Sequence, residues 1–94
     1  MMQSYELMVV YKPILFEDIK KNTISKILDL VKEMGGSLTE VDNLGKRLIA
    51  YTIKGFNEGH YIQYALEIDP GKVDEFKKEL QLMQDVLRFL LIKQ

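Results

Sequence analysis

The residues that could carry catalysis are few in this chain. Its 94 residues include no cysteine and one histidine, His60, which follows a turn and begins a strand, so we expect it to be solvated. A nucleophile with a base, a carboxylate pair in a cleft, a metal cluster and a phosphate-binding glycine loop are all missing from the pattern. Glu17-Asp18 and Asp74-Glu75 lie in first helical turns, where carboxylates complement the helix dipole, and Gly35-Gly36 is typical of a helix stop. The sequence therefore predicts no enzyme, no cofactor and no metal site.

The charged residues are balanced in number but uneven in position. Thirteen Lys and Arg against fourteen Asp and Glu give a formal charge of −1, which does not indicate a nucleic-acid binder overall. Cations cluster locally, with Lys46, Arg47 and Lys54 on one hairpin and Arg88 and Lys93 on the last strand. Ordinary solvated faces are the alternative interpretation.

The start lacks a basic, apolar signal segment and no apolar run approaches a membrane span, so we expect a soluble, unexported protein. The lack of cysteine fits the cytosol.

A long antiparallel hairpin must position these cations. Its two strands are 45–54, GKRLIAYTIK, and 60–68, HYIQYALEI, and the glycine-rich segment 55–59 between them can adopt the positive φ angles of a loop. Along the second strand the alternate residues from His60 to Ile68 share one face, which is the period of a strand with one face on a core.

The other predicted elements follow from the spacing of apolar residues and from the residues that end or begin each element. Residues 5–11 are apolar and β-branched before Lys12-Pro13, and Asp69-Pro70-Gly71 is typical of a capped helix start. An interruption at 42–45 indicates a bulge in the strand that begins at 38. Two helices carry one apolar stripe each, formed by Ile24, Ile27, Leu28, Val31 and Met34 over 17–34, and by Val73, Phe76, Leu80 and Met83 after residue 71. Residues 86–93 form the last strand.

The element order strand, helix, strand, strand, helix, strand predicts an α+β fold, the ferredoxin-like split βαβ sandwich. It has a four-stranded antiparallel sheet of order 4-1-3-2 with both helices on one face, and residues 1–94 form one domain.

The uncovered face of that sheet should be unusually apolar. Residues 7–11 and 89–92 are apolar at successive positions, so whichever parity faces the helices, apolar side chains of the neighbouring strands one and four also face outward, with Tyr61 or Tyr64 close by. A protein partner explains such a patch, since burying each side chain is worth about 1.5–3 kcal/mol. Scattered exposed apolar groups and self-association through an edge strand are the alternatives.

Two other uses of this topology fit the residues less well. The segment 12–16 has no arginine and no glycine, so it cannot wrap backbone amides around a phosphate as acylphosphatases do. An RNA-recognition motif stacks bases on aromatics of strands one and three. Strand three offers Tyr61, but strand one offers aromatics only at its ends, as Tyr5 and Tyr11, and the glycine-aromatic signature is missing.

Over essentially its whole length the chain resembles the bacterial-type small-subunit ribosomal protein six family. The core of the resemblance is G-x-R-x-x-A-Y-x-I-K, from Gly45 to Lys54. The other matching residues are Tyr5-Glu6, Pro13, Gly59-His60-Tyr61, Tyr64, Glu67, Leu80, Val86, Arg88 and Lys93.

The resemblance implies a non-catalytic component of the cytoplasmic ribosome. It would bind the central domain of small-subunit ribosomal RNA as a heterodimer with small-subunit ribosomal protein eighteen. The alternative is a regulatory or ligand-binding domain that works as a homodimer. The expected RNA contacts are Lys46, Arg47, Lys54, Arg88 and Lys93, and the expected partner contacts are Tyr5, Met8, Val10, Tyr61, Tyr64, Leu90 and Ile92. Core packing is the alternative for each of these tyrosines, above all for Tyr64, which shares a face with Ile62 and Leu66.

Overall fold

The computed structural model describes residues 2–13 and 17–94, with side chains for 2–13 and 23–94. Its strands are β1 (Gln3–Tyr11), β2 (Ser37–Ile53), β3 (Phe56–Ile68) and β4 (Val86–Lys93). Its helices are α1 (Glu17–Glu33) and α2 (Val73–Leu82), and one 3-10 turn (Pro70–Lys72) precedes α2. The predicted elements are all present in the predicted order.

The strands form one antiparallel sheet of order β2-β3-β1-β4, which confirms the predicted 4-1-3-2 topology. At the centre of the sheet Leu7 lies opposite Tyr64 of β3 and Leu91 of β4. The register shifts twice along the inner half of β2, between Leu38 and Glu40 and between Asn43 and Gly45. The second shift is the bulge that the sequence predicts at 42–45.

The helices bury the apolar stripes that the sequence predicts. Ile27 and Val31 of α1 and Phe76 and Leu80 of α2 are completely buried. Asp69 begins the second helical segment by accepting a hydrogen bond of 2.9 Å from the backbone amide of Gly71. Apolar burial on one stripe and this cap together explain why a short sequence folds as a helix here.

The hairpin turn is tighter than predicted. β2 and β3 are joined by Lys54-Gly55 alone, whose φ angles of 51° and 85° are both positive, as a two-residue hairpin turn of type I′ requires. The segment 56–59, which we predict as loop, instead begins β3. The asparagine at 57 and the glycine at 59 favour a loop, but pairing between β2 and β3 overrides that preference.

The core lies between the helices and the odd-numbered side of β1. Tyr11 and Tyr64 are both fully buried there, and their hydroxyls share a hydrogen bond of 2.7 Å across the two strands. Burial raises the pKa of Tyr64 to about 12. Burial and then the neighbouring Tyr64 hydroxyl raise the pKa of Tyr11 well above its usual range. The pair satisfies two polar groups that would otherwise be costly in an apolar core.

This pair predicts a loss of stability in alkali. Both pKa values are higher in the folded chain than the ordinary 10.0, so the neutral hydroxyls stabilise the fold fully below pH 10 and less as the pH rises toward 12. We expect the free energy of unfolding in urea to fall by up to about 1.4 kcal/mol per pH unit for each tyrosine. The double variant Tyr11→Phe, Tyr64→Phe removes both partners together and should lose most of this slope. Equal slopes in the two chains would contradict the assignment.

Candidate functional site

The even-numbered residues of β1 point away from the helices and define the open face of the sheet. Three rows of side chains cross this face in the strand order β4, β1, β3, β2. They are Arg88, Val10, Tyr61 and Gly45; then Leu90, Met8, Gln63 and Asp42; then Ile92, Glu6, Ala65 and Glu40. Most apolar side chains therefore lie on β4 and β1, while the carboxylates Glu40 and Asp42 lie on β2 and Glu6 lies on β1.

The apolar side of the open face is partly exposed. Leu90 and Ile92 are 53% and 49% exposed, while Met8 and Tyr61 are half-buried. Val10 is only 5% exposed although it lies on the same face. Side chains from the end of the hairpin cover it.

We call residues 49–56, at the end of the hairpin, the arm. The arm reaches to β4. Arg88 Nη1 donates a hydrogen bond of 2.8 Å to the Tyr51 hydroxyl, and Lys54 Nζ donates one of 3.4 Å to the Val86 carbonyl oxygen. These two contacts join the hairpin end to a strand that is not its neighbour in the sheet.

Gly59 allows the arm to approach the sheet. A Cβ at this position would collide with Val10 Cγ1 and would lie 3.3 Å from Ile49 Cδ1. The missing side chain thus lets Ile49 come close to Val10. Any larger residue would displace one of them.

A cavity of about 160 Å³ lies between the arm and the open face. Its lining is mostly apolar, with Arg88 as the one charged group. The lining residues are Met8, Val10, Ile49, Ile53, Tyr61, Arg88, Phe89 and Leu90.

The other part of the open face is acidic. Glu6, Glu40 and Asp42, which we call the acidic group, line a depression of about 150 Å³ with Gln63, Ala65 and Gln94. Glu6 and Glu40 both lie opposite Ala65, one from each side. Among the residues that the structure describes, no cation pairs with these three carboxylates.

Five of the seven expected partner residues lie together. Met8, Val10, Tyr61, Leu90 and Ile92 all belong to the apolar side of the open face. Tyr5 and Tyr64 do not, and their expectation is corrected: both are buried in the core beneath the helices, where β1 and β3 present their odd and even residues respectively. Neither side chain is accessible to a partner on the open face.

The expected RNA contacts divide into two groups. Arg47, Lys54 and Arg88 lie at the end of the sheet that carries the arm, since Arg47 pairs with Gly59 and Arg88 with Val10. Lys46 is nearby but pairs with His60, and its Nζ lies 3.8 Å from Glu58 Oε2. Lys93 lies opposite Tyr5, five residues along β4 from Arg88, a distance of about 17 Å. The five cations do not form one patch.

His60 is buried, contrary to our expectation of a solvated side chain. It is 3% exposed, and its Nε2 lies 2.7 Å from Asn43 Oδ1 at the bulge of β2. The bulge turns Asn43 towards β3, so the ring is satisfied inside the fold. A structural role explains this histidine.

Sequence reasoning missed the arm and the acidic group. Ile49, Tyr51 and Ile53 alternate with Ala50 and Thr52, and that period of two was a usable signal for an apolar side of the arm. The convergence of Glu6, Glu40 and Asp42 depends on strand register and had no local signal.

The described residues contain no group of three or more His, Asp or Glu side chains that could hold a metal ion. Within the same residues no helix is long and apolar enough to cross a membrane. Residues 14–16 of the segment that we compared with acylphosphatases lie outside the described residues.

The chain is similar to one family throughout. The model of the family described as "Ribosomal protein S6" matches residues 4–93. "Small ribosomal subunit protein bS6" of Caldanaerobacter subterraneus subsp. tengcongensis is 36% identical over 92 residues, covering 98% of this chain and 97% of the relative. The protein of the same name from Gloeobacter violaceus is 34% identical over 94 residues, covering 100% and 98%. These names are of ribosomal proteins rather than enzymes, in agreement with the expected non-catalytic chain and with the resemblance seen in the sequence.

Solved structures share the fold. The 30S ribosomal protein S6 from Thermotoga maritima superposes with a TM-score of 0.89 at 24% identity, over 100% of this chain and 89% of that one. The C-terminal domain of MgtC from Mycobacterium tuberculosis, at 14% identity, has a TM-score of 0.66 over 99% of this chain and 88% of that one. The topology alone thus occurs in proteins with different names.

The arm contacts predict a local effect on backbone protection. Tyr51→Phe removes the acceptor of the Arg88 hydrogen bond, so we expect faster amide hydrogen exchange within residues 49–56. The free energy of unfolding should change by less than about 0.5 kcal/mol, because the bond is exposed. Tyr61→Phe loses the same atom on β3 and is the control. Unchanged exchange in the arm of Tyr51→Phe would show that the bond does not hold it.

Proposed function

The chain belongs to the ribosomal protein S6 family, and from this premise we propose that it binds the central domain of small-subunit ribosomal RNA as a heterodimer with small-subunit ribosomal protein eighteen. In this proposal the chain has a structural role and works in the cytoplasm as part of the ribosome. The observation that carries the proposal is the division of its surface, with a free apolar side on the open face and cations at the arm end.

The apolar side supports a protein partner. Leu90 and Ile92 stand half-exposed beside Met8 on the face that lacks helices. Burying each such side chain fully is worth about 1.5–3 kcal/mol. A partner that covers three of them therefore gains up to several kcal/mol towards association.

The cations support a limited contact with RNA. Arg47, Lys54 and Arg88 lie at the arm end, and Arg88 keeps further N–H donors after binding Tyr51. Three phosphate contacts of about 1–1.5 kcal/mol each sum to about 3–5 kcal/mol, which is near-millimolar affinity. The chain alone is thus a weak RNA binder, and its partner must supply more cations.

If most of the RNA-binding cations come from the partner, the isolated chain and the heterodimer should differ greatly in affinity for RNA. In a gel shift with central-domain RNA we expect weak, salt-sensitive binding by the chain alone and much tighter binding after protein eighteen is added, because the two contacts then act together. A pull-down from lysate should recover ribosomal RNA and a basic small protein. Nanomolar binding by the isolated chain would contradict the proposal, and recovery of further copies of this chain alone would favour the homodimer.

The arm-end cations can be tested separately. Arg47→Glu reverses an exposed charge at the arm end, so we expect reduced incorporation into small subunits. Lys78→Glu makes the same charge change at an exposed position of α2, on the other layer, and is the matched control. Incorporation is measured by sedimentation with subunits, and folding by urea unfolding of each variant. Equal incorporation of both variants would exclude Arg47 as a contact.

A further inference from the structure

We infer that the open face selects a basic segment of its protein partner that carries one apolar anchor side chain. The anchor enters the cavity beneath the arm, and the basic side chains beside it meet the acidic group. This inference rests on the proposed function, because it specifies the chemistry of the partner that covers the open face.

The cavity is suited to a single side chain. Its volume is about 160 Å³. An apolar cavity of about 150 Å³ in a protein core can bind benzene, so this space can accommodate the ring of a phenylalanine or the branched end of a leucine. Leu90 and Met8 on the sheet and Ile49 and Ile53 on the arm form its opposing apolar walls. Arg88 and the Tyr61 hydroxyl are the polar groups of an otherwise apolar lining, so a polar side chain would lose more hydration there than an apolar one.

The acidic group lies next to this cavity. Asp42 shares a row with Met8, with Gln63 between them, and Glu6 is two residues before Met8 on β1. Neighbouring strands are about 4.8 Å apart and neighbouring rows about 7 Å apart, so both carboxylates are within about 10 Å of Met8. One extended segment of a few residues spans the anchor position and the acidic group together.

Charge complementarity identifies the occupant as basic protein. The described residues give the acidic group no cation of its own, so a partner with Lys or Arg side chains completes it, whereas phosphate groups are repelled. A second copy of this chain fits poorly, because a symmetric pair that buries this face brings two acidic groups into the same interface. Arg47, Lys54 and Arg88 lie instead at the arm end, away from these carboxylates.

The charge part of the inference predicts an effect on the rate of association. We compare the wild-type chain with the triple variant Glu6→Gln, Glu40→Gln, Asp42→Asn, using purified protein eighteen as the probe in surface-binding kinetics at several salt concentrations. The variant should bind about ten-fold more weakly, mainly through slower association, and its affinity should depend less on salt. The control Asp29→Asn, Glu33→Gln, Glu79→Gln neutralises three exposed carboxylates on the helices and should bind as wild type.

The cavity part predicts an effect on the rate of dissociation. Met8→Trp extends a half-buried side chain into the cavity and should speed dissociation at least about ten-fold by excluding the anchor. Leu48→Trp adds the same group at a position that is 76% exposed and outside the cavity, and should have no effect. Urea unfolding of each variant separates loss of binding from loss of folding.

The outcomes are distinct. A triple variant that binds with wild-type rates and salt dependence, or a folded Met8→Trp chain with wild-type dissociation, overturns this inference and leaves the proposed function intact. A wild-type chain that does not bind protein eighteen at all overturns both. A wild-type dimer that Met8→Trp dissociates identifies a second copy as the occupant and also overturns the inference.

Discussion

Two helices cover only one face of the four-stranded sheet, while β1 and β4 carry apolar side chains on both faces. This mismatch is the constraint on which the rest of the structure depends. The covered side is filled by the odd residues of β1 and by the helix stripes, with the Tyr11–Tyr64 hydrogen bond in its interior. The other side keeps Met8, Leu90 and Ile92 without a second layer. The chain covers part of this surface with its own arm, and the remainder is available to another protein.

The arm changes the interpretation of the conspicuous cations. Arg88 and Lys54 invite assignment to RNA, yet both also bond within the chain, to Tyr51 and to the Val86 carbonyl. These bonds attach the arm, which forms one wall of the cavity, to β4. The carboxylates lie on the opposite part of the same face. One sheet surface thus separates cations at the arm end from the carboxylates of the acidic group.

The fold could be predicted from the sequence because each element carries a local signal. The structure has the buried helix stripes and the alternating burial of β3 that these signals predict, and its elements end near the predicted proline and glycine boundaries. The sequence carries no such signal for which side chains of β1 and β4 face the helices, because residues 7–11 and 89–92 are apolar at every position. Only strand register decides which of them face outward. Tyr64 was misassigned for a related reason: it was expected beside the open face, but it lies on the core face with Ile62 and Leu66, where Tyr11 provides a buried partner for its hydroxyl. His60 was misassigned because its partner, Asn43, is brought to it by a bulge. The arm depends on a two-residue turn and on the lack of a side chain at Gly59, which are tertiary effects.

The central claim is that the open face is the side of the chain that another protein covers. Methyl NMR tests it directly, by cross-saturation from unlabelled protein eighteen to the methyl groups of this chain. We predict saturation transfer to Met8, Leu90 and Ile92 and none to Leu82, which is apolar and 74% exposed but lies at the end of α2. Transfer to Leu82 with none to the three open-face methyl groups would contradict the account.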